Sequence, residues 1–236
     1  MATTASRTCA SCASSPKRRL HRAPNSLNEF YTRSDVAQAM WAVVQRLGVQ
    51  SGTVLKPSCG AGVYLRTAPA GFKVTGVELD GVSAQIAQAL HSANHEAHNA
   101  SLERFATQDD RQFDAIIGNV PFGLRGALIK DDKPHWKTAE AYFCDTAMDK
   151  ARGGGVVELI VPTGVMDGKN HRKLREMLMR KGQFLGAQRM PNTAFEHAHT
   201  EVTTDIVWGA RPALAGMCFW PRPEAICAPA RRGTCA

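Results

Sequence analysis

No apolar run in the 236 residues approaches the ~20 that a helix needs to cross a bilayer, and no apolar signal core opens the chain. Both absences point away from membrane and export, so a cytoplasmic location is the expectation. A complete zinc-ligand pattern is missing as well. Cys9-x-x-Cys12 has the spacing of half a zinc knuckle, but no second Cys pair or Cys/His pair lies nearby. The seven cysteines are odd in number and scattered, and without a secretory signal they read as reduced thiols. His197-x-His199-x-Glu201 could be drawn as metal ligands, yet a solvated loop entering an edge strand explains them, and no metal is expected. The third glycine of a dinucleotide fingerprint is also lacking: Leu65 stands where G-x-G-x-x-G would place it.

What is present suits one sizeable α/β domain with a real core. The apolar fraction is an ordinary 44%. Lys and Arg number 29 against 21 Asp and Glu, giving a net charge of +8, which favours polyanionic partners such as nucleic acid. Residues 1–26, rich in Ser, Ala, Arg and Thr with a basic cluster at Lys17-Arg18-Arg19, read as a disordered arm. Residues 27–208 carry the periodic segments. Residues 209–236 show no period, contain four prolines, and read as an irregular or disordered tail.

Within 27–208, Val36, Ala37, Met40, Trp41, Val44 and Leu47 fall at helical spacing, with Ser34 expected as N-cap and Gly48 as stop. Strands and helices then alternate. Strands are expected at Thr53–Pro57, Lys73–Leu79, Glu96–Ala100, Phe113–Gly118 and Val156–Val161. Helices are expected over Val82–His91, Thr138–Lys150 (stopped by Gly153-Gly154-Gly155) and, with a basic face, Asn170–Arg180. Repeated β-α-β units imply a mostly parallel sheet with right-handed crossovers. Phe184–Arg189 and Val202–Trp208 follow without a long helix between them, so they should pair antiparallel at one edge, fixed there by Asp205.

Ligands of such sheets sit beyond the strands' carboxyl ends. After the first strand, Gly60 and Gly62 allow close backbone approach to a ligand, and Glu78 ends the second strand 18 positions later, where an acid can accept from ribose hydroxyls. After the fourth strand comes Asn119-Val120-Pro121-Phe122. Alone, each of these is ordinary turn chemistry.

Together they resemble a family. KPSCGAG at 56–62, GVELD at 76–80 and NVPF at 119–122 resemble, in order and spacing, three motifs of the adenine-specific DNA methyltransferases that modify N6. EFYT at 29–32 is similar to their N-terminal cofactor motif, and the stretch from Met190 to Trp208 to the final hairpin of plasmid- and phage-type members, whose variant tetrapeptide GNVPFG resembles. The resemblance implies a Rossmann-like class I fold, S-adenosylmethionine as cofactor, and adenine N6 in DNA as acceptor. It implies that Tyr31 and Thr32 help hold the methionine moiety, with the backbone of Pro57, Ser58, Cys59, Gly60 and Gly62 packed against it. Glu78 would bind the ribose, Leu79 would flank the cofactor's adenine, and Ser101 aligns with an acid that reads it. Lys56 is a departure, since the family usually has an acid there.

By the same resemblance, Asn119 and the carbonyl of Val120 would accept the two hydrogens of N6, next to Pro121, and Phe122 would stack on the base. The loop Gly123–Lys137, with Arg125, Lys130, Lys133, His135 and Lys137, is the candidate DNA-contacting flap, and the basic helix a second candidate surface. With no recognition domain in view, sequence specificity would call for a partner domain or protein. Related N-P-P-Y-type enzymes methylate RNA adenine or protein glutamine, and a binding remnant without catalysis is the other alternative.

Overall fold

The computed structural model describes residues 32–89, 94–125, 133–191 and 203–213. Helix α1 (Ser34–Arg46) buries Ala37, Met40, Trp41 and Val44, the stripe that the 3.6-residue period puts on one face. Ser34 is its first residue rather than its cap. The extended Arg33 holds that position, and its guanidinium pairs with Asp35, 2.7 Å away. Gly48 does end the helix, at φ 103°.

Seven strands form one sheet: β1 (Gly52–Lys56), β2 (Phe72–Glu78), β3 (His95–Asn99), β4 (Phe113–Asn119), β5 (Ala151–Pro162), β6 (Gln183–Arg189) and β7 (Thr204–Ala210). Their order is β3-β2-β1-β4-β5-β7-β6. The first five run parallel, and β7 lies antiparallel to both β5 and β6. The expected edge hairpin is there, docked through its second arm. Asp205, 2% exposed, fixes it by taking the Arg189 guanidinium through Nε–Oδ1 at 2.9 Å and Nη2–Oδ2 at 3.2 Å.

Helices cover both faces. Helices α1, α2 (Val63–Arg66) and α3 (Gly81–Ala89) bury Trp41, Tyr64, Leu65 and Ala87 against Val54, Val74, Ala115, Ile117 and Ile160. On the other face, α4 (Leu102–Gln108), α5 (Ala139–Lys150), α6 (Gly164–Asp167) and α7 (Arg172–Lys181) bury Phe105, Tyr142, Val165 and Leu174 against Leu55, Ile116, Val157 and Val161. Neighbours along one strand thus serve opposite cores, as the two-residue pleat requires.

Further features depart from the sequence expectations. The short helices α2, α4 and α6 were unforeseen. Gly153–Gly155 does not precede the fifth strand but lies within it, where β4 pairing jumps from Phe113↔Ala151 to Ala115↔Val156. That is a bulge, and glycine suits it: Gly154 sits at φ 79°, and a Cβ on Gly155 would lie 3.0 Å from the Phe113 carbonyl. The domain also continues past Trp208. Strand β7 runs to Ala210, and Arg211 donates to the carbonyls of Asp149 (2.9 Å) and Ala151 (2.8 Å). The expected arm at 1–26, the loop bearing His197 and His199, and the tail from 214 onward lie outside the described residues. Among the described residues no helix is long and apolar enough to cross a membrane.

Candidate active site

The carboxyl ends of β1, β2, β3 and β4 lie side by side, and each delivers part of the site. After β1, the loop folds back on β2: the Cys59 N–H donates to the Val77 carbonyl at 2.9 Å. This close approach depends on Gly76, where a Cβ would come 2.8 Å from the Cys59 sulfur. Gly60 (φ 52°) and Gly62 (φ 85°) carry the positive dihedrals that turn the loop, and Gly62 caps α2.

Glu78, 7% exposed, closes that loop. One carboxylate oxygen accepts the Gly60 N–H at 2.7 Å and the other accepts the Asp80 N–H at 2.9 Å. Two backbone bonds leave acceptor capacity on a carboxylate, which offers about four lone-pair positions. Leu79 beside it is 60% exposed, an apolar surface open to a flat ring. Asn99, at the end of β3, holds the turn by donating its amide to the carbonyls of Glu78 (3.0 Å) and Leu79 (3.1 Å). Sequence reasoning missed Asn99. Its place at the carboxyl end of the neighbouring strand was the available signal.

Ser101 lies two residues beyond β3, and its hydroxyl accepts the Arg104 N–H at 3.2 Å as the N-cap of α4. Thr32, half-buried, hydrogen-bonds the Tyr64 hydroxyl beneath the loop. Tyr31 lies outside the described residues.

Strand β4 brings Asn119 to the same edge, 9% exposed. Val120 is buried in the core on the α5 face, and its N–H donates to the Ile160 carbonyl at 3.2 Å, so it anchors the turn. Pro121 and Phe122 are half-buried. Then Gly123, at φ 102°, is clamped: its N–H donates to Glu140 Oε2 at 3.0 Å, and its carbonyl accepts the Ala139 N–H at 2.8 Å. Glu140 Oε1 also meets His171 Nε2 at 3.0 Å, and His171 Nδ1 lies 3.0 Å from the Gly164 carbonyl after β5. Burial pushes the Glu140 carboxyl upward, but the hydrogen bonds from His171 and the backbone outweigh it and hold the group below its usual range. Glu140 went unnoticed in the sequence because nothing local marks it, and His171 stood out there only as part of the basic helix.

Lys56 points inward. It is 2% exposed, and its Nζ donates to the Ser58 carbonyl and, at 3.3 Å, to the Asn119 carbonyl, 5.3 Å from the Tyr64 ring centre. Gly118 makes room: it sits at φ 141°, and a Cβ there would overlap the Lys56 Cδ and Cε and lie 2.6 Å from Nζ. Burial lowers the Lys56 pKa to about 8, with the Glu78 carboxylate acting in the opposite direction. Burial likewise pushes the Cys59 thiol up to about 12.

The proposed flap needs correction. Arg125 does not face outward but pairs with Glu103 at 2.9 Å, with its guanidinium 3.9 Å from the Tyr142 ring centre. Lys133, 8% exposed, pairs with Asp149 at 2.6 Å and Asp145 at 3.4 Å, and the Trp136 indole donates to Asp145 at 2.7 Å. These charges fasten the loop to α4 and α5. Lys130 lies outside the described residues, while His135 and Lys137 are exposed. Of the basic residues expected on this helix and the turn before it, His171 is engaged as above, Arg175 caps the Val165 and Gly168 carbonyls, and Lys181 pairs with Asp145 and Asp149. Lys169, Arg172, Lys173 and Arg180 remain exposed.

A family description, the Eco57I restriction-modification methylase, matches residues 67–187, just over half of the chain. The chain is 34% identical over 184 residues to defense against restriction protein B of Escherichia phage P1, covering 77% of this chain and 8% of that protein. It is 23% identical over 195 residues to the type II methyltransferase M.CvrRI of Paramecium bursaria Chlorella virus XZ-6E, covering 78% of this chain and 49% of that one. It therefore spans about half of the viral enzyme and a small part of the phage protein. Among solved structures, a Listeria monocytogenes protein assigned to the class I S-adenosylmethionine-dependent methyltransferases superposes with a TM-score of 0.65 at 15% identity, over 81% of this chain and 65% of that one. That likeness shows the shared class I fold.

Proposed function

Because the chain belongs to the Eco57I restriction-modification methylase family, we propose that it transfers a methyl group from S-adenosylmethionine to the exocyclic N6 of adenine in DNA. The observation that carries the reading is the meeting of two motifs at one sheet edge. The Gly60–Gly62 loop closed by Glu78 and the Asn119 turn leave the adjacent parallel strands β1 and β4, joined there by Lys56.

The residues present fit that cofactor. Glycines open the backbone after β1, Glu78 retains acceptor capacity for a ribose, and Leu79 offers an exposed apolar face to adenine. When bound, the cofactor supplies an electrophilic methyl group on a sulfonium. The chain's task is to prepare the acceptor amine, whose lone pair is delocalised into the ring. The Asn119 side-chain oxygen accepts one N6 hydrogen and the Val120 carbonyl accepts the other. This draws the nitrogen toward a pyramidal form with its lone pair free. Phe122 stacks on the base, a contact worth about 1–3 kcal/mol. Positioning and fixed dipoles carry the step; the methylated nitrogen is strongly acidic, so its surplus proton passes to solvent without a strong general base.

A paired adenine hides N6 in the stack, so the target base is flipped out or already single-stranded. Lys137, Lys169, Arg172 and Lys173 are exposed, and we assign phosphate contacts to them. The described elements all belong to the catalytic fold, and sequence recognition is assigned to a partner domain or protein. The test is methyl transfer from radiolabelled cofactor to DNA, wild type against Asn119→Ala, with the product identified by nucleoside mass spectrometry. Label in N6-methyladenine from the wild type alone supports the reading. Label in glutamine or RNA with unmodified DNA overturns the substrate.

A further inference from the structure

We propose that Lys56 is a positioning residue that sets the geometry between the cofactor loop and Asn119, an inference that rests on the function proposed above. Two main-chain carbonyls, of Ser58 after β1 and Asn119 at the end of β4, accept from one ammonium. Both are acceptors, so an acid at position 56 could make neither bond. A lysine ammonium carries three donors and no acceptor, and serves both. Strands β1 and β4 pair only at Val54↔Ala115 and Leu55↔Ile116. Beyond that point Lys56 continues the connection with its side chain.

The space for that side chain is built in. The Lys56 chain crosses β4 at Gly118, and a methyl group there would overlap it. Lysine at 56 and glycine at 118 are therefore matched parts. The titratable groups around the ammonium are Cys59 in the loop, Glu78 on β2 and Tyr64 on α2. Glu78 ties down the far side of the same loop through the Gly60 N–H. The loop is held from β2 by the Glu78 carboxylate and linked to the end of β4 by the Lys56 ammonium.

The experiment compares wild type with Lys56→Met, which keeps length and removes the donors. Hydrogen–deuterium exchange is read by peptide, alongside S-adenosylhomocysteine affinity and methyl-transfer kinetics. Faster exchange confined to residues 57–62 and 117–123, with kcat reduced at least about tenfold by the misplacement, is the expected result. The KM for DNA should stay within about threefold. Unchanged exchange at 117–123, or unchanged kcat, overturns the proposal. If Lys56→Met does not fold, Lys56→Gln, whose amide donates but is too short to reach both carbonyls, replaces it under the same criteria. A wild type that transfers no methyl group to any substrate would contradict the proposed function, and the exchange readout would still judge Lys56.

Discussion

Adding one methyl group at Gly118 tests the lysine–glycine match directly. Gly118→Ala meets two costs. The positive φ of 141° is one that side-chain-bearing residues rarely adopt, and such backbone strain costs about 1–3 kcal/mol. The new Cβ would also overlap Lys56, which is 2% exposed and has nowhere to withdraw. Displacing it breaks at least one of the bonds to the Ser58 and Asn119 carbonyls, and a hydrogen bond to a charged group is worth about 1.5–3 kcal/mol. The single substitution should therefore lower stability by about 2.5–6 kcal/mol. In a Lys56→Ala background the overlap vanishes and only the strain remains. The double-mutant cycle, measured from urea midpoints at constant m, should give a coupling of about 1.5–3 kcal/mol. Equal effects of Gly118→Ala in both backgrounds, within about 0.5 kcal/mol, would refute the match.

Burial also makes stability pH-dependent. Lys56 falls from 10.5 in the unfolded chain to about 8 when folded, so the unfolded state binds more protons in that window. Stability should rise as pH increases from 8 to 10.5, by up to about 3 kcal/mol, and the rise should be absent in Lys56→Met. Glu158 goes the other way. Burial raises its carboxyl to about 8, against a hydrogen bond from Trp208. Its contribution is full below pH 4.5 and lost as pH rises through 8, and Glu158→Gln should flatten that decline in a urea-midpoint series. Glu140→Gln releases His171 and loosens Gly123. It should lower methyl-transfer kcat about tenfold or more while leaving S-adenosylhomocysteine titrations unchanged. In DNA-binding titrations, Lys173→Ala should reduce the salt dependence by about one phosphate contact, whereas Lys133→Ala should reduce thermal stability and leave the salt slope alone.

Strand ends were the legible part of this chain. Apolar runs closing in Gly60-x-Gly62, Glu78 and Asn119 mark β1, β2 and β4 because buried parallel strands must be apolar and their ligand-facing ends must not. The antiparallel edge was readable because no long helical pattern separates Phe184–Arg189 from Val202–Trp208 in the sequence. Helix α4 was hidden because seven residues hold too little period to show, and Ser101, read as a ligand contact, serves as its cap. The glycine triplet looked like a helix stop because a bulge is defined by the partner strand, which the local sequence does not display.

Side-chain direction was the least legible. Arg125 and Lys133 read as a phosphate-facing flap, but their acidic partners sit on α4 and α5 and turn both inward. Lys56 read as a defect in the cofactor motif. Its role depends on Gly118 and Asn119, some sixty residues away in sequence and adjacent only in the sheet.

Methyl transfer to adenine by wild type and Asn119→Ala, each first shown to be folded, separates catalysis at Asn119 from a binding role. N6-methyladenine in DNA is expected from the wild type, with a loss of about a hundredfold or more in the variant and similar S-adenosylhomocysteine affinity for both. Equal incorporation by the two proteins would contradict catalysis at Asn119.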